Sequence, residues 1–242
     1  MKRIKILHMY YDLMNLYGDW ANTAVLGNRL TELGSEVLLD KKSVGDDIDF
    51  GIYDFIYIGS GTERSQFACM RDLEQYKESL LKQIEAGVPV LATGNSHELF
   101  GKAVTDSAGN RHAMLGLLDF ETEQKSTRVT GDCICDAAFL PDKLIGFINR
   151  AGGSQKGTIK RPFSVTPGIG AGFSAFPEGI HYKNLLGTYL TGPVLVRNPP
   201  LLRYTINLIT TREVMSETED STVINEVSQY LEQAYETALS AM

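Results

Sequence analysis

What most constrains this chain is a repeated alternation in which a short apolar run ends in a turn and hands over to apolar residues at helical spacing. Ile4-Lys5-Ile6-Leu7-His8-Met9-Tyr10 reads as a buried strand, and residues 20–33 then place Ala21, Ala24, Val25, Leu30 and Leu33 at helical intervals, with Gly34 as a C-cap. Residues 36–39 form a second short strand, and Asp54-Phe55-Ile56-Tyr57-Ile58 a third that runs into Gly59-Ser60-Gly61. An amphipathic helix over residues 66–86 stops at Gly87. Pro89-Val90-Leu91-Ala92-Thr93 is the fourth strand, and a sharp turn at Gly94-Asn95-Ser96 leads into a helix starting near His97. Apolar strands that alternate with helices in this order predict an α/β fold, a mainly parallel central sheet with helices on both faces.

From Leu115 the runs shorten, and residues 115–122, 128–135 and 144–149 read as antiparallel strands. Residues 151–172, rich in Gly, Pro, Ser and Lys, are predicted as loops with one strand around Phe163-Ser164-Val165. Asn198-Pro199-Pro200 opens a helix that runs to about Thr211, with proline in the first turn where its missing N–H costs nothing. After a polar linker at 215–221, a last amphipathic helix carries Val223, Ile224, Val227, Tyr230, Leu231, Ala234 and Ala238 along one face. The pattern leaves open whether that face covers the chain's own core or a partner. It divides the chain into a domain over 1–212 and a linker with C-terminal helix over 213–242.

At 242 residues, 43% hydrophobic and 22% charged, the chain is long enough for a sizeable core. Its net charge of -7 repels phosphate backbones and anionic headgroups, so neither nucleic acid nor a membrane surface is an expected partner. Lys5 interrupts the N-terminal apolar run and no 18-residue apolar stretch follows, so a soluble cytoplasmic protein without membrane insertion is expected. Cys69, Cys133 and Cys135 are an odd set without a disulfide framework. Two thiols without nearby histidines fall short of a metal site, and all three read as buried structural cysteines. No metal and no cofactor is expected.

Ligands of an open parallel sheet bind beyond the carboxyl ends of its strands, so the loops after Tyr10, Ile58 and Thr93 should converge on one crevice. Gly59-Ser60-Gly61-Thr62-Glu63-Arg64 would let backbone N–H groups approach a ligand, as an oxyanion hole requires. The turn at Gly94 and Asn95 would present one side chain on a strand-to-helix elbow. Glycine after a strand is equally ordinary turn chemistry. Ser96 reads as an N-cap, with a nucleophile as its alternative; His8 as a satisfied core histidine; His112 as a loop residue; His181 as a hydrogen-bonded structural group.

Several blocks together resemble a known family: Asp12-Leu13-Met14-Asn15-Leu16-Tyr17-Gly18-Asp19, Phe55 through Gly61, Leu117 through Thr122, Arg128 through Asp132, and the long run from Gly179 to Pro193. The chain resembles the class I glutamine amidotransferases of the cobyric acid synthase-like group, and within it the glutaminase subunits of lipid II isoglutaminyl synthases. The resemblance implies a flavodoxin-like fold and release of ammonia from glutamine through a thioester on an elbow cysteine, with a histidine moving the thiol proton. It also implies Arg128 as a substrate-holding residue, Gly59, Ser60, Gly61 and Asn95 as pocket residues, and a Mur-ligase-like synthetase subunit as partner.

At the two positions where the chemistry is concentrated the chain departs from the family. Gly94 stands where the elbow cysteine belongs, and Thr191, in Thr188-Tyr189-Leu190-Thr191-Gly192-Pro193, stands where the histidine belongs. Ile148 and Arg150 stand where the family tends to have glutamate and histidine. Glycine offers no nucleophile, and a threonine hydroxyl is no general base at neutral pH. The expectation is an amidotransferase-like protein that is catalytically degenerate for glutamine hydrolysis, still able to take a glutamine-like small ligand or a synthetase partner. A hydrolase or transferase using Ser96, and a non-catalytic interaction or regulatory protein, are the alternatives.

Overall fold

The computed structural model describes residues 2–211 and 226–242. Its first half runs β1 (Arg3–Met9), α1 (Trp20–Glu32), β2 (Glu36–Lys42), β3 (Phe55–Ile58), α2 (Glu63–Leu73), α3 (Lys77–Glu85) and β4 (Val90–Thr93). There follow β5 (Ala103–Thr105), β6 (Arg111–Ala113), β7 (Phe120–Ala137), β8 (Leu144–Gly157), β9 (Phe163–Pro167) and β10 (Phe176–Glu178). The last part holds β11 (Ile180–Tyr182), β12 (Leu185–Thr188), β13 (Leu190–Thr191), α4 (Val194–Arg197), α5 (Pro199–Thr211) and α6 (Glu226–Ser240).

The central sheet has the order β11-β12-β4-β3-β1-β2, parallel throughout except for the β11 edge. Read from the other edge, the parallel strands follow the flavodoxin-like order of a doubly wound sheet. Side-chain alternation explains why both faces are covered. In β1 and β3, Ile4, Ile6, Phe55 and Tyr57 join one buried cluster, with α1 and α5, while Leu7, Met9, Ile56 and Ile58 join another, with α2 and α3. Each fully buried Ile or Leu stabilises the fold by roughly 1.5–3 kcal/mol relative to exposure.

A second, mainly antiparallel sheet of order β10-β9-β7-β5-β6, extended by β8 and β13, packs beside the first. Its strands are longer than the sequence pattern suggests. The two separate runs expected within 115–135 are replaced by one strand, β7, with a register shift between Lys125 and Arg128, and β8 continues through residues expected as loop up to Gly157. Backbone pairing carries the ribbon across its exposed polar stretch from Lys125 to Arg128, where no apolar alternation marks a strand in the sequence.

The helix expected over 66–86 is divided into α2 and α3 by a tighter 3-10 turn at Glu74–Tyr76, where the Tyr76 hydroxyl donates to the Asp46 carbonyl and its ring packs on Phe50. That tertiary contact has no local glycine or proline to announce it. The helix expected near His97 is a seven-residue 3-10 segment, Gly94–Phe100. His112 lies on β6 rather than a loop, stacked on Phe67 and hydrogen-bonded to Asp106.

The linker at 215–221, with Val223 and Ile224, lies outside the described residues. Within α6, Tyr230 is 69% exposed and Ala234 is exposed as well, so the face that packs is rotated from the expected one. Tyr235 is its buried member, and its hydroxyl donates to the Lys143 carbonyl at 2.6 Å while the helix leans on α4, α5 and β8. Among the described residues no helix is long and apolar enough to cross a membrane.

Candidate functional site

Beyond the carboxyl ends of β1, β3 and β4 the loops meet around a cavity of about 200 Å³. Leu16 and Tyr17 reach it from the first loop, Ser60 to Glu63 from the second, Gly94, Asn95 and Glu98 from the third, and Gln124, Arg128, Asn149 and Arg150 from the β7–β8 ribbon. Of the residues singled out from sequence, Ser60, Gly61, Gly94, Asn95 and Arg128 line it together. Gly59 and Thr191 do not, and Thr191 is buried on β13, where its hydroxyl donates to the Phe147 carbonyl at 2.9 Å.

Gly94 sits at the tip of the elbow with φ +61°, a left-handed conformation that favours glycine. A Cβ placed there would lie 2.1 Å from the Ser60 Cβ, so the Ser60 side chain already fills the space in front of the tip. Gly59 and Gly61 are demanded by close approach as well. A Cβ on Gly59 would stand 2.3 Å from the Met14 carbonyl oxygen, and one on Gly61 2.3 Å from Met14 Sδ.

The N–H groups expected to face a ligand are engaged inside the protein. Ser60 N donates to Asp19 Oδ2 at 2.6 Å, Gly61 N donates to Asn95 Oδ1 at 3.0 Å, and Leu16 N donates to the Ser60 carbonyl. Asp19 is buried, and that burial pushes its carboxyl up to about 7 against the lowering effect of the Ser60 hydrogen bonds. Arg128 is likewise engaged: Nη1 donates to Glu63 Oε1 at 2.7 Å, Nε to Asn149 Oδ1 at 2.7 Å and Nη2 to the Asn149 carbonyl at 3.1 Å. Burial would raise the Glu63 carboxyl, but the Arg128 hydrogen bond and charge draw it below its ordinary value. Glu63, in the first turn of α2, thus holds a carboxylate on the arginine.

The floor of the site is a buried network that the sequence reading passed over. Glu98 accepts from Gln66 Nε2 at 2.7 Å, Gln124 Nε2 at 3.1 Å and the Tyr189 hydroxyl at 2.5 Å, and burial drives its carboxyl above the usual range. A glutamate just before Leu99-Phe100, both fully buried, was the available signal. Burial also pushes His97 down to about 3, so its ring is neutral at pH 7. Its Nδ1–H then donates to the Gly94 carbonyl at 2.7 Å, which leaves Nε2 to accept from Gln155 Nε2 at 3.0 Å.

Ser96 is no cap. Its buried hydroxyl lies 2.8 Å from the Thr93 carbonyl and 3.0 Å from that of Ile58, and with His97 Nδ1 committed to Gly94 no base addresses it. His8 is a correction too: it is fully buried, yet neither ring nitrogen has a hydrogen-bond partner, and burial followed by the Lys41 charge lowers it to about 4. His181 packs edge-on against Phe139. Among the described residues neither cysteine nor histidine lines the cavity. The thiols of Cys69 and Cys133 are buried elsewhere and pushed up to about 12 by burial, and Cys135 is raised further. Among the described residues no cluster of three His, Cys, Asp or Glu could hold a metal ion.

Comparison with known proteins bears on the fold that carries this elbow. Residues 5–199 match the model of the CobB/CobQ-like glutamine amidotransferase domain. The chain belongs to this family. It is 34% identical over 206 residues to the GatD subunit of the glutamine-hydrolyzing lipid II isoglutaminyl synthase of Staphylococcus aureus (strain N315), covering 84% of this chain and 83% of that one. The GatD subunit of Streptococcus pneumoniae (strain ATCC BAA-255 / R6) is 33% identical over 201 residues, covering 82% and 77%. A crystal structure of a glutamine amidotransferase superposes with a TM-score of 0.52 at 14% identity, over 84% of this chain and 98% of that one, which supports the fold alone. Within this amidotransferase-like frame, the central sheet, the elbow and the Arg128 cavity are the parts on which a functional reading rests.

Proposed function

We propose that this member of the amidotransferase family is catalytically degenerate for glutamine hydrolysis, with Gly94 at the nucleophile position and Thr191 at the base position. In this reading it serves as a glutamine amidotransferase-like subunit beside a Mur-ligase-like synthetase in cell-wall precursor amidation; its GatD relatives are named as subunits of a glutamine-hydrolyzing lipid II isoglutaminyl synthase. The observation that carries the reading is the elbow. The tip has no side chain, Ser60 occupies the volume in front of it, and among the described residues no thiol or imidazole lines the cavity. Loss of members of a catalytic unit lowers turnover by up to about a million-fold, so the remaining pocket would bind rather than hydrolyse. Arg128 and Asn149 are the groups suited to the carboxylate of a glutamine-like ligand, once Glu63 yields its place.

Release of ammonia and glutamate from glutamine tests this reading, measured with the protein alone and with a Mur-ligase-like partner. Release at the level of a heat-killed control is expected in both. Turnover clearly above that control would overturn the degenerate assignment, and failure of the two proteins to co-purify would overturn the partnership.

A further inference from the structure

β2 (Glu36–Lys42) ends the central sheet on one side and, among the described strands, pairs with β1 alone. We propose that this edge joins the same edge of a second copy of the chain, antiparallel about a two-fold axis at Leu39.

The backbone decides which groups the edge offers. In a parallel ladder the residues of a strand alternate between bonding the neighbour on one side and facing the other. Glu36 N donates to the Lys2 carbonyl and the Lys42 carbonyl accepts from Tyr10 N, so the even-numbered residues of β2 are turned toward β1. Val37, Leu39 and Lys41 therefore present their N–H and C=O groups outward. The strand is seven residues long, its register with β1 is continuous, and it holds no proline, so neither shortness, a bulge nor a proline blunts the edge. Its side chains agree: Leu38 and Leu39, on opposite faces of the sheet, are 38% and 40% exposed.

Charge complementarity names the occupant and the register. With the axis at Leu39, Glu36 stands opposite Lys42 of the second copy, Val37 opposite Lys41, Leu38 opposite Asp40, and Leu39 opposite itself. Val37, Leu39 and Lys41 then meet as hydrogen-bonded pairs, so each outward N–H and C=O of the strand gains a partner. Sliding the copies by two residues one way sets Glu36 opposite Asp40, and the other way sets Asp40 opposite Asp40 on the axis. Like charges directly opposite destabilise a pair of strands, and of these three registers only the one centred on Leu39 avoids them. Lysines on an edge usually oppose pairing, but here they face a carboxylate and a valine rather than each other. Arg3 Nε donates to Glu36 Oε2 at 3.1 Å, which leaves Oε1 outside that bond for the incoming ammonium, and Asp40 is held on its own copy by the Tyr53 hydroxyl at 3.0 Å. The closed two-fold pairing would join two six-stranded sheets into one, with the two Arg128 cavities opening at opposite ends of it.

Sedimentation equilibrium of the full chain over about 1–100 μM tests the interface, and a reversible monomer–dimer equilibrium is expected. Leu39→Lys confronts two ammonium groups on the axis and should weaken association about tenfold or more. If that variant fails to fold, two exposed charge reversals carry the test. Glu36→Lys and Lys42→Glu each set like charges opposite one another at both ends of the pairing, and each alone should weaken association about fivefold or more. Mixed in equal amounts, the two variants restore opposite charges at both ends and should recover it. A chain that stays monomeric throughout, even if its edge accepts a strand of another protein, would overturn the proposal. So would a dimer that none of the three substitutions weakens, or a mixture that associates no more tightly than the single variants.

Discussion

Replacing Gly94 by cysteine puts a Cβ 2.1 Å from the Ser60 Cβ and 3.2 Å from its Cα, on a residue with φ +61°. Two separate costs follow. A non-glycine residue in the left-handed region is disfavoured by about 1–2 kcal/mol, and forcing an extra side-chain atom into filled space costs about 1–3 kcal/mol. Gly94→Cys should therefore destabilise the protein by roughly 2–5 kcal/mol, lowering Tm by about 2–4 °C for each kcal/mol in a chain of this length. Ser60→Gly removes only the second cost, since it empties the volume without changing the backbone at the tip. By itself it should cost about 0.5–1 kcal/mol in backbone entropy. The double variant should then be more stable than the single effects predict, with a coupling of about 1–3 kcal/mol in a thermodynamic cycle measured by urea unfolding. A coupling below about 0.5 kcal/mol, the level at which independent sites add, would refute the claim that Ser60 occupies the nucleophile's space.

Other consequences follow from the same contacts. Glu63→Gln should change stability by less than about 1 kcal/mol, because the Arg128 pair is 44% and 40% exposed, while strengthening binding of L-glutamine; unchanged calorimetric affinity would show that Glu63 does not compete for the arginine. Burial raises Glu178 from 4.5 to about 7, so the folded protein holds a proton that the unfolded chain has lost between those pH values. Its contribution is most favourable below about pH 4.5 and falls by on the order of 3 kcal/mol as pH rises to 7; Asp19 acts in the same direction. Glu178→Gln should accordingly flatten the decline of unfolding free energy across pH 4.5–7, and an unaltered slope would count against the buried carboxyl. Tyr235→Phe removes the hydrogen bond to the Lys143 carbonyl and should cost about 1 kcal/mol, read as faster amide exchange in α6.

The amino-acid sequence by itself determined the doubly wound sheet, because strand and helix periodicities are local and the runs around Ile6, Ile56 and Leu91 have no other way to bury both of their faces. It also determined that position 94 has no side chain and position 191 no imidazole, which is the basis of the functional reading. The length of the β7–β8 ribbon escaped it, since backbone pairing holds polar residues together without an apolar pattern. So did the turn of α6 that buries Tyr235 and exposes Tyr230. Only the tertiary structure decided that Ser60 stands in front of Gly94 and that Glu63 holds Arg128 across 65 residues of chain. These are juxtapositions of distant loops. Their paths are set by how the two sheets pack, and no short-range periodicity records them.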